Sequence, residues 1–571
     1  MKTSELCAAY WDLQRNEFPL AAIGAGQPVD HDRLLLEAPE DHLRRAAAAE
    51  TMLCELTANP VSGLAMQERI SHTMLRGELE RLVESVRVQA YMRPSIHPMG
   101  PDFQLHYAGD RVMLESAGDA RRWISRLNGV PRDLDGVIQS LRAGIDAGIR
   151  YPKLVIERAV AHVRWMSGQV PAASGFHKPF AKAGARLADA ASLAQEALKV
   201  IEDQVYPALR RYEAFLSNDL GAVATATLAC TAQPLGHAFY REMIRFNTTQ
   251  DLDPAELHRL GLSEVERLRG RMLETAEQDG FADDVAGYQQ HLKNDPAQFA
   301  PSADALLEQM EALSKRIDAR LPEYFGRLPR STYGLRLMPA AVAAAMPPAY
   351  AQPGPADNSA AGIHWITSIP QNFPRYMNVP VALHEAWPGH LMHLALMQEM
   401  DDLPAFRRFG AMRYSACLEG WALYCEQLGE EMGLYDTPSK LYGRLEMEMW
   451  RALRLVVDTG IHHHGWSRER SIELMRANMA LPLATLEAEV DRYIGWPAQA
   501  LGYQVGNLKF CELRRRAERR LGDSFRRRAF HDVLMAAGPV TLDGLDEIVE
   551  AWLAAQAASG VGANAEGSSL N

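Results

Sequence analysis

A mainly α-helical fold with one small edge-strand feature is predicted by three observations. Apolar residues recur at helical spacing over long stretches, alanine-rich runs separate them, and a single short segment has strand composition. At 571 residues, 47% apolar and 23% charged, the chain can bury a large core. That length fits two to four domains of ordinary size or one large helical unit.

Taken in order, residues 1–130 read as helices, with periodic runs at Asp30–Leu56 and Leu64–Val88. MRPSIHPMGPD, with its three prolines and a glycine, then breaks the pattern. Helical periodicity returns over Ala117–Ile149, and Tyr151-Pro152 opens a further element with proline at a favourable early position. Ala181–Val200 is alanine-rich and a good helix former, whereas threonine and valine weaken the helical reading of Ala222–Cys230. Two amphipathic runs, LHRLGLSEVERLRGRM and ADALLEQMEALSKRI, fill much of Asp253–Arg320, and their charges read as a solvated face. Composition shifts between Leu321 and Pro355 toward proline, alanine and tyrosine. The expected division is therefore a helical N-terminal region, 1–330, a chemistry-bearing region, 331–555, and a disordered tail, 556–571. Within the second, Gly362–Thr367 has the β-branched and aromatic content of a strand.

Several function classes are disfavoured at once. A net charge of −12 without a basic stripe argues against a nucleic-acid partner. No window offers the ~20 uninterrupted apolar residues that span a bilayer, so no membrane partner is expected. The opening MKTSELCAAYWDLQRNEFP has no apolar signal core or cleavage signal. Six cysteines lack C-x-x-C spacing, which suits a reducing compartment and gives the expectation of a cytoplasmic protein.

Chemistry concentrates in Pro380–Leu396, PVALHEAWPGHLMHLAL, where His384, Glu385 and His390 stand in an otherwise almost wholly apolar segment. A zinc hydrolase needs neutral imidazoles to hold its metal and a nearby carboxylate to take a proton from water. The familiar H-E-x-x-H spacing is absent. Six residues at about 100° each would leave His390 roughly 120° from His384 on an unbroken helix. Pro388, however, has no N–H for the His384 carbonyl, and Gly389 loosens the chain beside it. A kink or bulge at Pro-Gly is therefore expected to rotate His390 back toward the metal. Glu385, adjacent to His384 but pointing elsewhere, suits the general base. His393 follows His390 by three residues and could also face the site or simply pack.

HEAWPGH resembles the H-E-x-x-P-G-H motif of the DUF885 proteins, bacterial relatives of the gluzincin metallopeptidases. EGWALYCEQL from Glu419, RALRLVVDTGIHHHGW from Arg451 and EVDRYIGWPAQALGYQVGNLKFCELR from Glu489 agree with the family in the same order. The resemblance is strongest from about Ser331 to Ala555. It implies a metallopeptidase-like helical fold with a deep cleft, and Zn2+ held by His384, His390 and Glu419; because Glu419, Leu423 and Glu426 recur on nearly one helix face, Glu426 suits an outer hydrogen-bond acceptor. It also implies that the strand carrying Trp365 is an edge strand beside the metal, free to pair with a substrate backbone. Arg451 or Arg454 would bind a peptide carboxylate, with pairing to Asp458 or Glu448 as the structural alternative for each. His462 would donate to the transition state, while His463 and His464 have local roles. Tyr503, and after it Tyr493, would stabilise the oxyanion, helix packing being the other reading of both. The implied activity is zinc-dependent hydrolysis of amide bonds in short peptides or related small substrates. The alternative is a non-catalytic, metal-containing peptide-binding protein.

Overall fold

Amphipathic periodicity and side-chain caps decide where the helices begin. In the computed structural model, which describes residues 2–27, 31–184, 189–343, 346–355 and 358–566, most of the chain is helical. Among the N-terminal helices are α1 (Pro39–Thr57), α2 (Met66–Arg87) and α3 (Ala117–Asp146). The start of α3 illustrates the local logic: the Ser116 hydroxyl accepts from the Asp119 N–H, and the Asp119 carboxylate accepts from the Ser116 N–H at 2.8 Å. That reciprocal cap satisfies two donors the helix itself leaves open.

The elements around the site follow: α4 (Gly236–Thr248), α5 (Pro254–Gln278), then β1 (Tyr333–Leu337), β2 (Ala349–Gln352) and β3 (Gly362–Ile366). Next come α6 (Asn378–Glu385), α7 (His390–Gln398), α8 (Ser415–Glu431), α9 (Pro438–His462), α10 (Leu483–Gly495), α11 (Leu501–Leu521) and α12 (Leu542–Glu566). Two long pairings organise them, α5 against α9 and α8 against α11. Two large apolar cores result. One joins α3 to α9 and α10, with Trp123, Leu134, Leu453 and Val457 among its members. The other joins α2 to α6, α8, α11 and α12, with Leu75, Leu383, Trp421 and Leu513. Each core draws residues from both sides of position 330.

The sheet order is β1-β3-β2, β3 running parallel to β1 and antiparallel to β2. The expected edge strand is thus the central one. Leu335 and Ala351 both register with His364, so the backbone of Gly362–Ile366 is already paired on each side and has no row of groups left for a substrate strand. Its strand composition marked it as the most sheet-like segment, and such segments belong where both faces and both edges are covered. The free edges belong to β1 and β2, and β2 lies against α6 and α7.

No helix among the described residues is long and apolar enough to cross a membrane. The backbone of α12 continues to Glu566, through the start of the expected tail, and residues 567–571 lie outside the described residues.

Candidate metal centre

The Pro-Gly step does more than kink a helix. α6 stops at Glu385, the chain turns through Ala386–Gly389, and α7 starts afresh at His390. With no N–H on Pro388, the His384 carbonyl loses its intrahelical donor, and the turn folds tightly over it. A Cβ on residue 389 would stand 2.0 Å from the His384 oxygen and 2.4 Å from that of Leu383, so only glycine passes there. From α8, the Trp421 indole donates to the Pro388 carbonyl at 2.9 Å and pins the turn. The break brings the two histidine rings to 4.8 Å between centroids, at 88° to one another.

Glu419 reaches the same point from α8. Its Oε2 lies 3.4 Å from His384 Nε2 and 3.5 Å from His390 Nε2. Two ligands each ~2.1 Å from one tetrahedral ion stand ~3.4 Å apart, so these spacings fit a zinc-sized site. Among the described residues, this is the one group of three or more His, Cys, Asp or Glu side chains whose donor atoms converge in this way. The approach of α8 depends on a close crossing with α11. A Cβ on Gly420 would meet the Gly506 backbone at 2.4 Å, and one on Gly506 would meet the Ala416 carbonyl at 1.9 Å. Glu419 sits beside that crossing, and Tyr503 lies one turn from it on α11.

Behind the cluster, His384 Nδ1 lies 2.8 Å from the fully buried Glu426 Oε1. A proton on Nδ1 shared with that carboxylate leaves the Nε2 lone pair facing Glu419, the arrangement that orients a metal-binding imidazole. Burial alone would push the His384 pKa down. Contacts to Glu419 and Glu426, with Glu385 close by, overcome it and bring the group up to about 10. Burial likewise opposes ionisation of Glu419, yet the two imidazoles hold its carboxyl well below the usual range. Without an ion the cluster thus recruits protons to offset buried carboxylates, a demand that a divalent cation meets directly.

The remaining expected residues divide. Glu385, half-buried at the end of α6, is near enough to act on His384 electrostatically. Tyr503 faces the Arg454 guanidinium at 4.3 Å from its ring centroid, and its hydroxyl hydrogen-bonds nothing among the described residues. Tyr493 is fully buried, donates to Glu489 Oε2 at 2.6 Å and accepts from Arg454 Nε at 3.2 Å. Arg454 pairs with Glu489 at 3.0 Å, in place of the Asp458 or Glu448 partners anticipated. Asp458 instead accepts from the Tyr240 hydroxyl and the Ala498 N–H, and Glu448 holds Arg444 and Arg267. Arg451, one turn before Arg454, has no carboxylate partner among the described residues.

His462 has no ring nitrogen to spare for a substrate. Its Nδ1 accepts from the Cys230 N–H at 3.3 Å and its Nε2 donates to the Tyr493 carbonyl at 2.9 Å, so it ties three segments together inside the core. Burial pushes its pKa to about 4, which keeps it neutral. His463 and His464 stack edge-on with each other at its margin. Trp365 donates to Gln352 and stacks with Tyr350 across the β2–β3 pair. His393 is buried against Trp421 and points neither nitrogen at a partner among the described residues.

Two neighbours escaped sequence reasoning. His364, fully buried on β3, lies close enough to lower its own pKa by repulsion from His384, after burial has done most of the work. Strand alternation with Trp365 was the available signal, because the two must face opposite ways. Glu489 stands four residues before Tyr493, the spacing at which helical side chains meet. A cavity of about 440 Å³ lined by His237, Tyr240, Arg241, Asp253 and His463 shares no residue with the ligand cluster.

Comparison with known proteins bears on this arrangement. A family described as "Bacterial protein of unknown function (DUF885)" matches residues 19–549. Comparison with curated proteins gives no match. Among solved structures, the "putative lipoprotein from Colwellia psychrerythraea" superimposes with a TM-score of 0.90 at 25% identity, covering 96% of this chain and 98% of its own. A "putative lipoprotein of unknown function from Shewanella oneidensis" does so with a TM-score of 0.75 at 16% identity, covering 97% and 100%. The Colwellia protein being described as a putative lipoprotein, that comparison contradicts the cytoplasmic placement. The free cysteines on which that expectation rested argue against a disulfide framework but carry no cellular address.

Proposed function

The chain belongs to the DUF885 family of bacterial proteins of unknown function, and we propose that within it the His384–His390–Glu419 cluster holds Zn2+ and serves the hydrolysis of amide bonds in short peptides or related small substrates. The observation that carries the proposal is the approach of Glu419 Oε2 to the Nε2 atoms of both His384 and His390 at 3.4 and 3.5 Å, close to a tetrahedral edge. When bound there, zinc supplies Lewis acidity and a position for water.

The protein's own groups do the rest. Glu426 keeps the His384 ring turned with Nε2 inward. Glu385 takes a proton from the attacking water and returns it to the departing nitrogen. Tyr503, with its uncommitted hydroxyl, donates to the oxygen that gains charge during attack. The deep cleft implied by the family resemblance is part of this proposal, as is a substrate backbone laid along the free edge of β2 rather than along β3.

A metal-containing protein that binds peptides without turning them over needs only the three ligands, and the ligand geometry alone supports that reading more directly. Glu385 separates the two. Metal content and product formation are measured on a short-peptide library with wild type and Glu385→Gln. Hydrolysis predicts that the variant keeps its zinc while turnover falls by about 10²-fold or more. A zinc-loaded wild type that cleaves nothing across the library supports the binding reading instead, and equal turnover by the variant removes Glu385 from its role.

A further inference from the structure

α9 presents two buried arginines one turn apart, and their surroundings differ. The carboxylate-shaped edge of Arg454 is spent: its Nη2 pairs with Glu489 and its Nε donates to the Tyr493 hydroxyl, the Tyr503 ring covers its face, and only Nη1 lacks a partner among the described residues. Arg444, earlier on the same helix, is likewise held by Glu448 and Glu430. Arg451 is 6% exposed, yet its only hydrogen bonds among the described residues are from Nη1 to the Met447 carbonyl at 3.3 Å and the Met447 sulfur at 3.2 Å. Its buried Nε has no partner, and no hydrogen bond from Nη2 is made among the described residues. Nε and Nη2 carry the two parallel N–H groups that match a carboxylate in a bidentate pair. The unused edge is thus the one shaped for that ligand.

Position adds to the argument. α9 packs against α6, α8 and α11, the three helices that carry His384, Glu419 and Tyr503. The Arg451 guanidinium interacts electrostatically with Glu426, Glu419 and the Tyr503 side chain. A buried guanidinium without a hydrogen-bonded anion is costly, and a ligand carboxylate on the unused edge would offset that cost.

We infer that Arg451 receives the terminal carboxylate of the substrate, so that the cleft takes peptides by their free C-terminal end and the scissile amide lies close to it. The inference rests on the peptide-hydrolysis reading and names its substrate class.

Two N-acylated dipeptides identical except for a free or an amidated C-terminus test it. In zinc-loaded wild type, turnover is expected to favour the free acid by about 10- to 10²-fold in kcat/KM, the range of a charge-assisted bidentate contact. In Arg451→Gln that preference should collapse toward unity with zinc content retained, and Arg451→Lys, which keeps charge but loses the fork, should fall between. Calorimetric binding of the same pair to zinc-loaded Glu385→Gln separates the two readings. Tighter binding of the acid without turnover in wild type retains the carboxylate role and overturns hydrolysis. Equal cleavage of acid and amide retains hydrolysis and overturns the carboxylate role. Loss of zinc from both Arg451 variants also overturns it, because the residue would then be balancing the ligand carboxylates.

Discussion

The ligand cluster and the arginine–tyrosine network beside it are built from the same kinds of buried polar group and have opposite chemistry. In the network, Arg454, Arg492 and the Tyr493 hydroxyl all donate to Glu489, which also accepts from the Trp450 indole, so its charge is met from every side. In the cluster, His384, His390 and Glu419 aim lone pairs at a shared point, and no arginine or lysine makes an ion pair with Glu419 among the described residues. Burial is common to both, so burial does not mark a site. Uncommitted lone pairs that converge on one point do, and three predictions test how far that distinction holds.

The largest effect concerns the network's charge balance. Burial would raise the Glu489 carboxyl above its ordinary 4.5, but Arg454 and Arg492 overcome it and hold the group at about 2. A carboxylate depressed in the folded state stabilises the fold above the unfolded value, and this contribution is lost as pH falls from about 4.5 toward 2. A shift of that size corresponds to about 3 kcal/mol at neutral pH. Denaturant unfolding of chelator-treated protein between pH 5 and 2 should therefore lose stability with a slope that Glu489→Gln reduces by about one proton. An unchanged slope would mean that Glu489 is not charged within the network.

The next prediction addresses the cluster's only fully buried acceptor. Replacing Glu426 by Gln keeps the shape but removes the charge opposite His384 Nδ1, and metal affinity should fall by about 10- to 100-fold. Zinc competition against a chromophoric chelator measures it. A variant that binds zinc as tightly as wild type would show that the ring is oriented without Glu426.

The contrast also explains what could be read from the sequence. His384, His390 and the Pro-Gly interruption were legible because one residue without an N–H and one without a Cβ force a break whatever the surroundings. Glu426 was legible from its helical phase relative to Glu419. Helical character was legible for the same reason, since periodicity is local. Strand order was not: β1 and β2 pair with β3 from positions up to about thirty residues away, and nothing within Gly362–Ile366 says which side is covered. His462 misled for a related reason. Its motif position was clear, but its Cys230 partner comes from a distant segment, 232 residues away in sequence. Whether a polar group is already satisfied is a tertiary property, which is why Arg451 and Arg454 look alike in sequence and differ in the fold.

The smallest effect falls on Tyr493, where the two readings of one residue diverge. As an oxyanion donor it would have to swing its hydroxyl out of a 2.6 Å hydrogen bond to Glu489, leaving both that carboxylate and Arg454 Nε short of a partner in the core. That cost recurs at every turnover, whereas Tyr503 has no such bond to break. Tyr493→Phe should accordingly act on the fold and not on the reaction. One buried hydrogen-bonded hydroxyl is removed, at a cost of about 1 kcal/mol in unfolding free energy, while kcat stays within about threefold of wild type. If Tyr493 were the donor, stability would change by the same amount and turnover would fall by about 10²-fold or more. Denaturant unfolding and steady-state kinetics on the same preparation separate the outcomes, and a large loss of kcat would move the boundary between network and site to include Tyr493.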